Sequence, residues 1–360
     1  MAGVASLLLL LVVRSFASSC EGYGAPQEQG SVGGSPITES SGLAFARTRP
    51  GVWFTHNDSG GQPVLYAFEL DGTYLEEHAV VGAAFGDWEA MSAGPCPDGD
   101  GACLYIGDVG DNPGARPYVS VYAVREPTAG RPVEVLAAWH ASYPDGVARN
   151  SEALLVHPLT GRIDLITKED GESCGVYRFP RDPAEQIAQL ALVATLSFEG
   201  EGGARTVTGA DWDPDGDRVV VRTYSGAWEW SADPCLPDAH WDDPPRGLAL
   251  SDVQGEAIAY NAIGDIVVSS EGDPMVLKRL VCEAVGEPGG PCDTGVVDSG
   301  DDGGGGDLPP ARDPGCGCGG GAAPGWLALL GLPALASRNR RRRCPDRSRR
   351  RRARGSPPRR

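Results

Sequence analysis

The chain has 360 residues, with 51 Gly, 30 Pro and only 22% charged residues, a composition that suits turn-rich β structure and argues against a helical bundle. The formal net charge of -18 hides a split: the last 23 residues hold thirteen Arg and one Asp, whereas residues 15–337 carry 17 basic and 48 acidic groups, a net of -31. A body this acidic repels nucleic-acid phosphates and favours cations, so nucleic acid is excluded as a partner.

The chain opens on an apolar run, Val4 to Val13, followed by Ser15-Phe16-Ala17 with small residues at both cleavage-site positions. Ten apolar residues are too few to span a bilayer, and residues 1–19 are expected to be a signal peptide that directs export. Ala17-Ser18-Ser19-Cys20 also admits a second processing route, with Cys20 acylated after cleavage.

Residues 36–285 repeat themselves. Each unit has a polar or Gly residue, a short apolar run, a turn, a β-rich run ending in polar residues, and then a strand that typically contains Tyr or Trp. The openings are Gly42-Leu43-Ala44-Phe45, Asp87-Trp88-Glu89-Ala90-Met91, Ser151-Glu152-Ala153-Leu154-Leu155, Thr208-Gly209-Ala210-Asp211-Trp212 and Gly255-Glu256-Ala257-Ile258-Ala259. Thr73 to Val81, Val133 to Ser142 and Gln186 to Phe198 supply outer strands, the first half of the last also being compatible with a helix. Short strands with Gly/Asp turns at a period of roughly 45–65 residues predict an all-β fold, a β-propeller. Five units are legible. Closure between the termini suggests a sixth, composite blade, within a range of five to seven. Asp213-Pro214-Asp215-Gly216-Asp217 lacks the downstream Glu of a calcium loop and reads as a hairpin turn. Trp88, Trp212, Trp228 and Trp230 read as packing between blades. The wording HNDSG, DWEAM, GDVGDN, EALL with TKE, VTGADW with RTY, and QGEAIAY resembles a family of secreted bacterial β-propellers of no settled function.

After the repeats, residues 286–314 are rich in Gly and Asp and read as a disordered stalk. Residues 315–343 then combine Cys316-Gly317-Cys318, an apolar segment from Trp326 to Ala336 and the Arg cluster that starts at Arg338. This order resembles the MYXO-CTERM sorting signal. The resemblance implies arrest in the membrane with the Arg cluster inside, a C-terminal membrane protease as partner in the export and sorting machinery, and display on the cell surface or outer membrane, or release from it. The basic tail, residues 344–360, departs from the usual end of that signal.

Any chemistry is expected where inner strands begin and second strands end, because a propeller turns both toward one mouth of its central channel. Aligning the units puts Gly42, Glu89, Glu152, Gly209 and Glu256 at the first position, and Asn57, Asp108, Lys168, Arg222 and Ser269 or Ser270 at or beside the second, with Asp58, Asp111, Asn112, Glu169 and Glu271 just beyond. Three carboxylates round one axis repel unless basic groups or a cation offset them. Lys168 and Arg222 are candidates for the first solution. For the second, Ca²⁺ would take Glu152, Glu256 and Asn57 as ligands, since hard cations prefer oxygen. Two roles follow from different classes: binding or scaffolding of an extracellular ligand, and a calcium-dependent hydrolase, lactonase-like or phosphoesterase-like, with Glu89 or Asp108 as catalytic base. The five His show no zinc spacing, no G-x-S-x-G is present at Ser59, and no Gly-rich nucleotide loop opens a helix.

An exported chain with six body cysteines favours disulfides. Cys96 and Cys103 bracket one hairpin turn, Cys282 and Cys292 bracket the exit from the last strand, and Cys174 with Cys235 remain as a pair by elimination.

Overall fold

The computed structural model describes residues 20–284, except 60, 170, 172, 185, 201, 235–237 and 251–254. The leader, the stalk, the segment with Cys316 and Cys318, and the basic tail all lie outside the described residues.

Strands β1 (Cys20–Tyr23) and β2 (Gln27–Val32) precede the first repeat. The first repeat is β3 (Ala44–Phe45), β4 (Val52–Thr55), β5 (Val64–Glu69) and β6 (Tyr74–Val81). The second is β7 (Trp88–Pro95), β8 (Ala102–Asp108), β9 (Val119–Arg125) and β10 (Val133–Ser142). The third is β11 (Ser151–Val156), β12 (Ile163–Thr167) and β13 (Cys174–Arg178), followed by the short β14 (Ala188–Gln189) and by β15 (Ala191–Leu196). The fourth is β16 (Val207–Trp212), β17 (Arg218–Thr223), β18 (Ala227–Ser231) and β19 (Arg246–Leu248). The fifth is β20 (Gly255–Tyr260), β21 (Ile266–Ser270) and β22 (Met275–Leu280), and β23 (Cys282–Ala284) follows.

Each repeat is a four-stranded antiparallel blade, and the fifth borrows its outer strand from the N-terminus, in the order β2-β22-β21-β20. The inner strands touch in the sequence β3, β7, β11, β16, β20 and back to β3, which closes a ring. The described residues therefore make a five-bladed β-propeller. The closure that suggested a sixth, composite blade instead completes the fifth. Ala188–Gln189 and Ala191–Leu196 form strands, not the helix that part of this segment allowed.

The core explains why the inner strands lack the alternation of a half-exposed sheet. Every residue of β11, β16 and β20 is buried, because both faces of each inner strand meet a neighbouring blade. The apolar side chains fall into five clusters, one at each blade junction. Trp88 fills the junction of blades one and two, and Trp212, Trp228 and Trp230 fill that of blades three and four. The Asp213 segment is a hairpin turn: Asp213 Oδ1 accepts the N–H groups of Asp215, Gly216 and Asp217, with Gly216 at a φ of 80°.

Two disulfides are described, Cys96–Cys103 as expected and Cys20–Cys282. The second corrects the pairing of Cys282 with Cys292, which lies outside the described residues. The Cys20–Cys282 bond and acylation of Cys20 exclude one another, because both use the same sulfur. Cys174 is a buried free thiol, and Cys235 lies outside the described residues.

Candidate functional site

The site begins with a backbone irregularity repeated round the axis. In blade two, Trp88 pairs with Asp108 but Ala90 pairs with Gly107, so Glu89 is an extra residue in the inner strand. The same shift falls at Glu152 between Ser151 and Ala153, at Thr208 between Val207 and Gly209, and between Gly255 and Ile258, where Glu256 stands. In blade one, Ser40 bridges Asn57 and Ala44 pairs with Phe54, which puts Ser41 in the corresponding place. A β-bulge bends its strand and re-aims a side chain. Five bulges thus present Ser41, Glu89, Glu152, Thr208 and Glu256 at one level of the ring.

This register corrects the alignment that put Gly42 and Gly209 at that level. They belong one residue further on, with Ala90, Ala153 and Ala257, in a layer of small residues where the inner strands crowd together. A Cβ on Gly42 would lie 2.6 Å from His56 Nε2 and 2.9 Å from the Met91 nitrogen. Below this layer Leu43, Met91, Leu154 and Ile258 narrow the channel. What remains above it is a cup of about 140 Å³, lined by Ser41, Glu89, Glu152 and Glu256 from the inner strands, and by Asp58, Lys168, Tyr224 and Glu271 from the residues just after the second strands, with Glu39, Ser40 and Asn112 at its rim.

The second set of expected positions mixed three registers. Asn57 and Asp108 are the last residues paired on their strands, Lys168 is one residue beyond, and Arg222 is one residue short of the end. Only Lys168 reaches the cup. The Asn57 amide is used in the backbone: Oδ1 accepts from Thr38 and Glu39 N–H, and Nδ2 donates to the Pro36 carbonyl at 2.8 Å. It pins the 36–39 segment and is not placed to ligate with Glu152 and Glu256. Asp108 accepts from the Asp87 N–H at 2.9 Å and pairs with Arg116 at 2.8 Å. It buttresses Asp87 from outside the cup and is not positioned as a base within it. Arg222 donates to the carbonyls of Ala257 and Ser269, and packs so closely on Gly255 that a Cβ there would lie 1.4 Å from Nη2. It joins blades four and five beneath the ring.

Charge within the cup is unbalanced. Lys168 Nζ donates to Glu152 Oε1 at 2.5 Å and to the Tyr224 hydroxyl at 2.9 Å. Burial works against the ammonium, but Glu152 more than offsets it and the net shift of the lysine is upward. Glu152 Oε2 is buried without a hydrogen-bond partner. Glu89 accepts from Ser41 Oγ at 2.6 Å, yet burial, reinforced by Glu152, pushes it up to about 9. Glu256 is pushed up to about 7 by burial and then by Glu152. Asp87, raised to about 6 by burial and by Asp58, completes a cluster: carboxylate oxygens of Asp58, Asp87 and Glu89 all lie within 4.8 Å of one another. Gly110 makes room for it, since a Cβ there would meet Asp87 Oδ2 at 2.4 Å and Glu89 Cγ at 2.6 Å.

Sequence reasoning placed Asp58 just beyond the ring and missed Asp87, Ser41, Tyr224 and Glu39. The usable signal was the residue following the second strand in four of the five blades, Asp58, Lys168, Tyr224 and Glu271, once the bulges set the register; in blade two that place is Val109.

No protein-family model matches the chain, and no curated protein sequence matches it. Solved structures of similar outline include a glucose dehydrogenase (10% identity, TM-score 0.44, covering 72% of this chain and 100% of that one). A second is a glucose dehydrogenase-type oxidoreductase from Thermus thermophilus (14% identity, TM-score 0.38, 72% and 100%). A third is the WD40 repeat domain of RRP9 (12% identity, TM-score 0.35, 67% of each chain). The propeller assignment rests on the strand order and ring closure above, not on these likenesses.

Proposed function

We propose that this protein is an exported, cell-surface-anchored β-propeller with a binding role, and that its ligand site is the axial cup, which takes a positively charged group. The observation that carries the reading is the charge count in a confined space. Glu89, Glu152 and Glu256 are 3%, 4% and 8% exposed, and the lysine among them is already paired with Glu152. Carboxylates held this close and this dry favour a cation over any anion, which sets a phosphoesterase behind other readings. Export is supported by the apolar leader, by the order of Cys-Gly-Cys, apolar segment and Arg cluster at the C-terminus, and by two disulfides, which suit an oxidising compartment.

The experiment is a thermal-melting screen of the full mature chain against metal ions, a polyamine and a lysine oligopeptide. At least one should raise Tm in the wild type and fail to do so in Glu152→Gln. A screen in which no cation acts on the wild type overturns the reading. Surface proteolysis of intact cells and fractionation check the location, with the propeller accessible from outside as the expected result.

A second reading, a lactonase-like hydrolase, is favoured by one observation: the carboxylates of Glu89 and Asp87 lie within 4.8 Å of each other in unequal surroundings, and burial, reinforced by Glu152, raises Glu89 further than burial and Asp58 raise Asp87. Such a pair separates acid from base. Turnover of a lactone panel that falls at least a hundredfold in Glu89→Gln, with the fold intact, would establish it.

A further inference from the structure

We infer that a hard divalent cation, Ca²⁺ in the first place, binds at one side of the cup between the carboxylates of Asp58, Asp87 and Glu89. This rests on the reading of the cup as a cation site and names the ion and its ligands. The donors are all carboxylate oxygens. Two oxygens that each lie about 2.3–2.6 Å from one Ca²⁺ ion can be at most about 5 Å apart, and the three groups here meet that limit at 4.8 Å. The absence of imidazole or thiolate from the set disfavours zinc and copper. The ring nitrogens of His56 face the carbonyls of Asn57 at 3.1 Å and Ala90 at 3.2 Å.

One further feature points to a ligand, and two more show how the carboxylates are brought together. Glu152 lines the same cup, is 4% exposed, and has Oε2 buried without a partner. An unpartnered carboxylate oxygen in a dry site is costly unless something positive completes it. Asp87 is held in place from behind. Its N–H donates to Asp108 Oδ1, its carbonyl accepts from Gly110 N–H at 3.1 Å, and Asp108 is itself fixed by Arg116. These contacts fix the backbone from which the Asp87 carboxylate approaches those of Asp58 and Glu89. Finally, the chain leaves Gly at 110, where any side chain would fill the space of Asp87 and Glu89.

The test uses the full mature chain stripped with a chelator, titrated with Ca²⁺ alone by calorimetry and with Tb³⁺ by luminescence sensitised through Trp88. One ion per chain is expected, with a Tm rise of several degrees at saturation. Asp58→Asn and Asp87→Asn should each weaken Ca²⁺ at least tenfold and dim the Tb³⁺ signal, while Asp145→Asn, a surface carboxylate paired with Arg149, leaves both unchanged. If the variants unfold, competition of Ca²⁺ with Tb³⁺ at the Trp88-sensitised site of the wild type decides the matter. Wild-type protein that binds no Ca²⁺ but is stabilised by the polyamine or the lysine peptide sinks the metal site and leaves the cationic cup standing. Protein that responds to no cation sinks both. Ca²⁺ affinity as in the wild type in both Asn variants, with the fold intact, also overturns the assignment.

Discussion

Lys168 and Glu152 stand on the same blade, 2.5 Å apart, and their contact uses only one of the two carboxylate oxygens. The lysine thereby offsets a single charge in a cup that Glu89 and Glu256 also enter. Removing it by Lys168→Met leaves the glutamates to repel one another at short range. Breaking one side of a largely buried pair costs about 3–5 kcal/mol; Lys168 is 18% exposed, and water takes up part of that. A loss of about 2–3 kcal/mol is therefore expected in chelator-treated protein. The double variant with Glu152→Gln should lose less than the sum of the singles, by at least about 1 kcal/mol in urea unfolding. Strict additivity would mean that the contact contributes nothing.

A second buried carboxylate governs the response to pH. Asp211 on β16 accepts from Ser92 Oγ of blade two at 3.2 Å and from the Tyr260 N–H of blade five at 3.0 Å, so that one side chain ties three blades. Burial raises it to about 7. The folded chain therefore holds a proton that the unfolded chain releases near pH 4. The sign follows: this group's contribution is fully present below pH 4, falls as pH rises to about 7, and is constant above that, with a maximum slope of about 1.4 kcal/mol per pH unit. Asp211→Asn keeps the shape, and Ser92 can turn to accept from the amide. Denaturant unfolding between pH 4.5 and 8 should show the variant gaining on the wild type as pH rises. Parallel curves would contradict the burial argument.

Cys174 offers a simpler check. It is 5% exposed in the core between blades three and four, and burial pushes its thiol up to about 12. A thiol that is neither accessible nor ionised reacts slowly. In the native chain Cys174 should resist an alkylating reagent at pH 8, and label within minutes in denaturant, as read by peptide mass. Fast native labelling would place it at the surface.

The fold was legible because its signals are local. Val219-Val220-Val221 or Leu154-Leu155-Val156 between Gly/Asp turns can be little else than buried strands, and five such units at similar spacing call for a ring. The carboxylates Glu89, Glu152 and Glu256 were legible too, since each opens its unit before a small residue. What sequence could not give is the bulge. A one-residue irregularity exchanges the two faces of a strand, so Ser41 and Thr208 hid behind the glycines that follow them, and Arg222 was credited with a place one residue from where its side chain points. Asp87 escaped for a different reason. It precedes the inner strand of blade two and comes up beside Asp58 and Glu89 only because Gly110, from another loop, leaves it room. The N-terminal strand escaped as well: Gln27–Val32 is mostly polar, as an outer strand can be, and nothing local says which blade it joins.

That strand leads to the last prediction. β2 completes blade five by pairing with β22, β1 pairs with β23, and Cys20–Cys282 fastens the two ends together across 262 residues. Gly30 lies against the turn of blade one so tightly that a Cβ would sit 2.2 Å from the Asp71 carbonyl carbon. Loop-closure entropy grows with the logarithm of loop length, so the Cys20–Cys282 link is expected to contribute about twice as much as Cys96–Cys103, which spans seven residues: about 5 against about 2.5 kcal/mol as upper values. Cys20→Ser with Cys282→Ser should therefore lower Tm clearly more than Cys96→Ser with Cys103→Ser. Deleting residues 20–32 should do worse than either, because it exposes the edge of β22 to pairing with other chains. Peptide mapping of the mature protein without reductant settles the chemistry at the N-terminus. The Cys20 peptide should run joined to the Cys282 peptide, whereas a Cys20 carrying acyl chains would mean that the propeller closes by hydrogen bonds alone.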